Sequence, residues 1–260
     1  MTTLLMAPLL AADEPSPVLL LNPHGAGPFL LTADHAGRAL PRRLGTLGLP
    51  DDELERHIGW DIGIWGVAAL LAEALDAPAI GQRYSRLAID CNRHPGATDS
   101  IPEISETTEI PGNFNVSDDE RALREETLFD PYHQRVAAEL DFRGDRLTAL
   151  VALHSFTPVF TGVTRPWHIG LLFDQDERFA RPLLDLLRAE PGLVVGENEP
   201  YAADADFDYS LYVHGAERGV PHLGIELRQD LIADAAGQAR WAALLARLLP
   251  QALQAVPGLA

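Results

Sequence analysis

Five side chains in this sequence are of types and placements that could activate water: Asp34, His35, Asp61, His154 and Glu226. His35 follows the apolar run FLLTA and Asp34, His154 follows LTALVAL, and Glu226 interrupts VPHLGIEL. Two imidazoles and a carboxylate with one open position form a common catalytic zinc shell, because neutral imidazole nitrogens and carboxylate oxygens bind Zn2+ directly. For a single histidine, a hydrogen-bonded core position is the commoner explanation. Two at the ends of strand-like runs favour ligation, so His35 and His154 are the candidate metal ligands. The third ligand is Asp61, in HIGWDIG, with Asp34 as the alternative; no HExxH segment is present and Arg38 stands three residues after His35. Asp61 reads equally well as an acid favoured by the dipole at a helix start. A carboxylate inside an apolar strand is costly unless it is paired or used. Glu226 is therefore either a general base acting on water or the partner of Arg228, which strand alternation places on the same face.

Arg86, Asn92 and Arg93 make a second group. Arginine grips carboxylates through two parallel hydrogen bonds, so arginines beside such a site point to a small anionic substrate. Pairing with nearby acids such as Asp90 or Asp99 is an equally weighted alternative. His57, His94 and His222 suit surface or supporting roles, His133 is as compatible with packing as with function, and His168 and His214 could line a pocket. Nucleophilic catalysis fits poorly. There is no GxSxG elbow, His154 and Ser155 point to opposite sides of a strand, and Cys91, although near His94, reads as a small buried hydrophobe.

These residues need strands to place them. Val18–Asn22, Phe29–Ala33, Pro78–Arg83, Leu87–Asp90, Leu147–Leu153, His168–Phe173, Leu193–Val195 and Val220–Leu227 read as strands. The near-continuous apolar character of Leu147–Leu153 marks a strand covered on both faces. Ile62–Leu75, Glu177–Ala189, Asp208–Arg218 and Ala235–Leu253 read as helices. Ser117 caps another, and Pro131 starts a further one. Residues 96–115, without a clear period, form a long loop of the kind that often serves function. Strands alternating with helices predict an α/β protein, a sheet between helices, in a single domain over residues 1–260 with residues 1–16 as a loose N-terminal segment. In such sheets ligands bind beyond the carboxyl ends of the strands, where these side chains gather.

Composition narrows the chemistry. All 20 basic residues are arginine, and against 38 acids they leave a net charge of −18. Without lysine there is no phosphate-loop lysine, no Schiff-base amine and no kinase strand lysine. The negative charge argues against a nucleic-acid partner. A single cysteine excludes an internal disulfide and a cysteine-only zinc site. The opening residues lack a basic leader, and no apolar run approaches the ~20 residues of a membrane span. The expectation is a soluble, cytoplasmic protein without a membrane partner.

Taken together, TADHAG, HIGWDIG, YSRLAIDCNR, PYH, ALHSF and GIELRQDLI, in this order from about His24 to Asp234, resemble the N-formylglutamate amidohydrolase family. The YSRLAIDCNR wording is closer to the family's amidohydrolase-like branch than to the histidine-degradation enzyme. The resemblance implies a zinc-dependent amide hydrolase, with one Zn2+ per chain. It also implies a fold similar to that of the zinc carboxypeptidases, with a mixed, mostly parallel sheet between helices. It matches His35 and His154 to metal ligands, Glu226 to the catalytic glutamate, and Asn92 and Arg93, with Arg86 close by, to a carboxylate grip. One departure stands out: carboxypeptidases carry a glutamate three residues after the first histidine, where this chain has Arg38. The expected activity is hydrolysis of an N-acyl, in particular N-formyl, acidic amino acid. The alternatives are a zinc carboxypeptidase or amidase acting on a peptide or cell-wall fragment, and a non-catalytic binder of an anionic metabolite.

Overall fold

The computed structural model describes residues 7–144, 146, 148–204 and 208–256. Seven strands form one sheet: β1 (Val18–Leu21), β2 (Phe29–Ala33), β3 (Ala79–Gln82), β4 (Ala149–Phe156), β5 (Ile169–Leu172), β6 (Val195–Glu197) and β7 (His222–Arg228). Their order across the sheet is β1-β3-β2-β4-β7-β5-β6. The pairs β3–β2, β2–β4, β4–β7 and β5–β6 are parallel, and only β1–β3 and β7–β5 are antiparallel. The sheet is thus mixed and mostly parallel, in one α/β domain, as the alternation of apolar runs predicts.

The centre of the sheet is buried on both faces, which is why β2 and β4 read as nearly unbroken apolar runs. One face carries Phe29, Leu31, Val151, Leu153, Leu223, Ile225 and Leu227 against helices α1 (Ile64–Ala74), α4 (Ala180–Arg188) and α5 (Ala235–Gln254). The other packs Leu30, Ile80 and Leu150 against a helical stretch made of α2 (Asp118–Arg124) and α3 (Asp130–Arg143). Alternation with period two sets His154 and Glu226 on this second face, opposite Leu153, Ile225 and Leu227.

Several local expectations hold in detail. The Ser117 hydroxyl accepts from the Glu120 amide and caps α2. Pro131 begins the regular part of α3, but the chain reaches it through a wider π-turn at Glu125–Phe129 rather than a break. Proline lacks an N–H and its ring crowds the preceding turn, so a π-turn is the physical response. Asp208–Arg218 is helical at Tyr209–Leu211 and then widens into a second π-turn at Tyr212–Ala216.

Others need correction. Leu87–Asp90 is not a strand: Leu87, Ala88 and Ile89 are buried, but within a turn whose polar backbone is met locally. Leu87 N–H donates to Ser85 Oγ, the Leu87 carbonyl accepts from Asn113, and the Ala88 carbonyl accepts from Arg124. A short apolar run reports burial and cannot by itself report conformation. The 96–115 loop contains a two-residue hairpin pairing Ile104–Ser105 with Thr108–Glu109. Leu147 of the expected strand Leu147–Leu153 lies outside the described residues, and β4 starts at Ala149. Residues 1–6 of the expected loose segment also lie outside them. Residues 7–16 have no helix or strand but are tied down: Leu9 is buried, the Pro15 carbonyl accepts from the Tyr84 hydroxyl, and Asp13 pairs with Arg42.

Candidate metal centre and active site

Three adjacent parallel strands deliver the site. β2 ends at Ala33 and hands on Asp34 and His35. Its neighbour β4 carries His154, and the next strand, β7, places Glu226 in direct register with His154. Asp61 arrives from the turn before α1. Its amide donates to the His35 carbonyl at 2.9 Å, which ties that turn to the end of β2. The turn is closed by Gly63 at φ 81°, where a Cβ would stand 2.1 Å from the Ile232 carbonyl oxygen. Only glycine fits this left-handed, crowded position.

His35, Asp61 and His154 are buried, and each offers a ligand atom within 4.8 Å of the others'. The imidazoles turn Nδ1 inward: His35 Nδ1 lies 3.6 Å from Asp61 Oδ1, and His154 Nδ1 lies 3.1 Å from Asp61 Oδ2. Their outer nitrogens meet carboxylates. His35 Nε2 donates to Asp90 Oδ1 at 2.7 Å, and His154 Nε2 sits 3.3 Å from Asp34 Oδ2. Asp90 is held ionised by Arg86, whose Nη2 donates to Oδ2 at 2.6 Å, and Asp34 accepts from the Ser210 hydroxyl at 2.5 Å. An ionised Asp90 can only accept, so His35 carries a proton on Nε2 and turns its Nδ1 to the centre. His154 is hydrogen-bonded to Asp61 Oδ2 through Nδ1 and lies near Asp34 through Nε2, so a cation between Nδ1 and Asp61 would take the place of the proton there. An outer carboxylate that fixes the tautomer of a histidine is the usual support of a metal ligand.

The residues fit a divalent cation on two further counts. His35 Nδ1 is buried and has no hydrogen-bond partner among the described residues. The centre also carries an excess of negative charge. Burial and Arg86 pull the His35 imidazole towards neutrality, but Asp90 and Asp61 leave it above its usual range. Burial opposes protonation of His154 too, yet Asp34 and Asp61 hold it well above. Burial resists ionisation of Asp61, but the two histidines keep it low. Asp34, behind His154, does not join the cluster. Asp61 is the acid that faces both rings.

Glu226 behaves differently from these acids. Its side chain is buried, and its Oε2 has no hydrogen-bond partner among the described residues. The alternative pairing with Arg228 does not form, because Arg228 turns to Asp230 at 2.8 Å. Burial pushes the Glu226 carboxyl up to about 8; nearby His154 pulls it down, while Asp61 and Asp208 add to the rise. A carboxyl desolvated towards neutrality in a cleft suits a proton carrier.

One cavity of about 420 Å³ brings these groups together with Arg86, Asn92 and Arg93. Both suggested acid pairings occur: Arg86 binds Asp90, and Arg93 Nε donates to Asp99 at 2.7 Å. The arginines thus line the cavity with an acid partner each. Asn92 is fixed from both sides, accepting from the Ser210 amide at 3.1 Å and donating to Asp208 at 3.3 Å. Sequence reasoning missed Glu106, Tyr201 and Asp208 and gave His57 only a surface or supporting role; all four also line the cavity. It treated Asp90 only as an arginine partner. No periodic signal marks these positions, since most lie in loops that only the fold brings to the strand ends.

The fold and site describe an α/β protein with a candidate metal cluster and an unpaired carboxyl at the carboxyl ends of its central strands. The chain belongs to the N-formylglutamate amidohydrolase family, whose model matches residues 27–233. It is similar to a gene product of Agrobacterium tumefaciens, at 37% identity and a TM-score of 0.91 over 95% of this chain and 99% of that one. The fold also matches N-formylglutamate amidohydrolase from Ralstonia eutropha JMP134, at 20% identity and a TM-score of 0.67 over 93% of this chain and 98% of that one. A metallo-carboxypeptidase of Burkholderia cenocepacia aligns more distantly, at 12% identity and a TM-score of 0.40 over 91% of this chain and 60% of that one. No curated protein sequence matches the chain. Among the described residues, no helix is long and apolar enough to cross a membrane.

Proposed function

We propose that the protein is a zinc-dependent amidohydrolase that releases formate from an N-formyl acidic amino acid such as N-formylglutamate. The observation that carries this reading is the inward pair of Nδ1 atoms facing Asp61, with Glu226 unpaired in the same cavity. His35, Asp61 and His154 would hold the ion, which when bound supplies Lewis acidity and positive charge to the site. Asp90 holds His35 in the tautomer that presents Nδ1, and Asp34, 3.3 Å from His154 Nε2, would receive that nitrogen's proton once an ion occupied the Nδ1 side.

The chain's own groups do the rest. Glu226, which the charge of a bound ion would favour in its ionised form, accepts a proton from the attacking water at Oε2 and returns it to the nitrogen of the leaving amine. The water oxygen bonds to the formyl carbon, the C–N bond breaks, and formate and the free amino acid leave. Arg86, Asn92 and Arg93 orient the substrate through its carboxylate, holding the reacting carbon in place. A cavity of about 420 Å³ is of small-metabolite size, which favours an amino-acid derivative over the peptide or cell-wall fragment of the alternative reading.

The test is formate release by zinc-reconstituted protein offered N-formylglutamate, other N-acyl amino acids and short peptides. Turnover should be greatest on the formyl acidic compounds, and absence of turnover on all of them rejects the activity. The Glu226→Gln variant should keep its zinc and lose about 10²–10⁴-fold in kcat. Full activity in that variant removes Glu226 from the mechanism.

A further inference from the structure

Arg165 differs from the other buried and half-buried arginines beside the sheet and cavity. It is 8% exposed, yet no carboxylate of the described residues lies within ion-pairing distance. Arg86, Arg93, Arg124 and Arg143 each have an acid: Asp90, Asp99, Glu120 and Glu139. Burying a cation without a counter-charge is costly, so this one needs a reason.

Its surroundings supply one. The guanidinium carbon sits 4.5 Å from the ring centre of Phe160, 4.7 Å from that of Tyr201 and 6.0 Å from that of Phe156. Its Nη1 donates to the Tyr201 hydroxyl at 2.9 Å. All three rings line the catalytic cavity. The aromatic faces orient the guanidinium by cation–π attraction without neutralising it. Its Nε and Nη2 have no side-chain partner among the described residues, and neither is fully buried. A planar, oriented donor fork held directly against the rings that line a cavity is suited to a carboxylate. The Val159–Phe160 and Val163–Thr164 hairpin puts Phe160 on the cavity wall and leads directly into Arg165.

We infer that Arg165, with the Tyr201 hydroxyl, is the seat for a second, side-chain carboxylate of the substrate and sets the preference for dicarboxylic compounds. Arg86, Asn92 and Arg93 are left to hold the first carboxylate. This assignment rests on the proposed hydrolysis of an acidic amino-acid derivative, but it is tested by binding alone.

Zinc-loaded protein is titrated calorimetrically with glutarate, which has two carboxylates, and with its monoamide, which has one. The wild type should bind glutarate at least about tenfold more tightly. Arg165→Gln should reduce that preference to within about twofold while leaving monoamide affinity unchanged, and Arg165→Lys should restore part of it. No preference in the wild type, an undiminished preference in Arg165→Gln, or equal weakening of both ligands overturns the assignment. Should Arg165→Gln fail to fold, Tyr201→Phe decides. It removes one donor and keeps the ring, and the preference should fall about threefold or more; an unchanged preference rejects the seat. A preserved dicarboxylate preference without formate release from N-formylglutamate rejects the proposed reaction and leaves the seat standing.

Discussion

Two pairs of buried imidazoles lie in this protein at the same ring-centre separation, 5.2 Å for His35 and His154 and 5.2 Å for His133 and His214. Their surroundings give them opposite characters. The first pair is walled by Asp34, Asp61 and Asp90, and its pKa values are driven up despite burial. The second is stacked at 19°. His133 Nε2 donates to the Cys91 carbonyl at 2.8 Å, so its Nδ1 accepts from His214 Nε2 at 2.9 Å. Burial lowers His133 to about 4 and His214 to about 3. Closeness of two histidines therefore says little about metal binding. What decides is whether acids face them and whether their lone pairs converge on a common point.

The comparison can be broken first at the metal. Asp61→Asn should weaken zinc binding by more than the 10–100-fold typical of outer-sphere partners, whereas His214→Gln should retain one zinc per chain. Metal analysis and a competitive chelator titration measure both, and comparable losses would erase the distinction. Next come the supports of the first pair. Asp90→Asn and Asp34→Asn should each weaken zinc by about 10–100-fold, because the far nitrogen loses an ionised acceptor and the tautomer is no longer fixed.

The second pair is sharpened by pH. Its folded-state pKa values lie below the ordinary 6.5, so the unfolded chain binds protons that the folded one refuses. Stability from these groups is present above pH 6.5 and is lost as pH falls towards about 4. Denaturant titrations of the metal-free protein should show His214→Gln flattening that decline by up to about 1.4 kcal/mol per pH unit, the contribution of one proton. Glu226 has the reverse sign. Its folded carboxyl holds a proton that the unfolded chain gives up above pH 4.5, so its cost grows as pH rises from 4.5 to about 8. In the metal-free protein Glu226→Gln should leave Tm unchanged near pH 4.5. At pH 8 it should raise Tm by about 2–4 °C for each kcal/mol recovered.

Much of this was legible in order along the chain. The apolar runs at Phe29–Ala33 and Val220–Leu227 mark buried strands, because a strand covered on both faces has no polar side to show. A charge such as Glu226 inside such a run is visible against that background. His35 and His154 stand out for the same reason, at the ends of runs. Leu87–Asp90 shows the limit: its apolar residues are buried as expected, but side chains distant in sequence satisfy its backbone and allow a turn.

Residue types and local pattern by themselves determined an α/β sheet, excluded lysine chemistry, and singled out His35, His154 and Glu226, since burial, periodicity and side-chain chemistry are properties of short segments. The placement of Asp61 rather than Asp34 between the two inward rings, the turning of Glu226 away from Arg228, the pairing of Asp90 with His35 and the isolation of Arg165 among aromatic rings were set only by the tertiary structure. Each depends on distances between residues tens of positions apart, and such distances are fixed by strand order and loop closure rather than by any neighbouring residue.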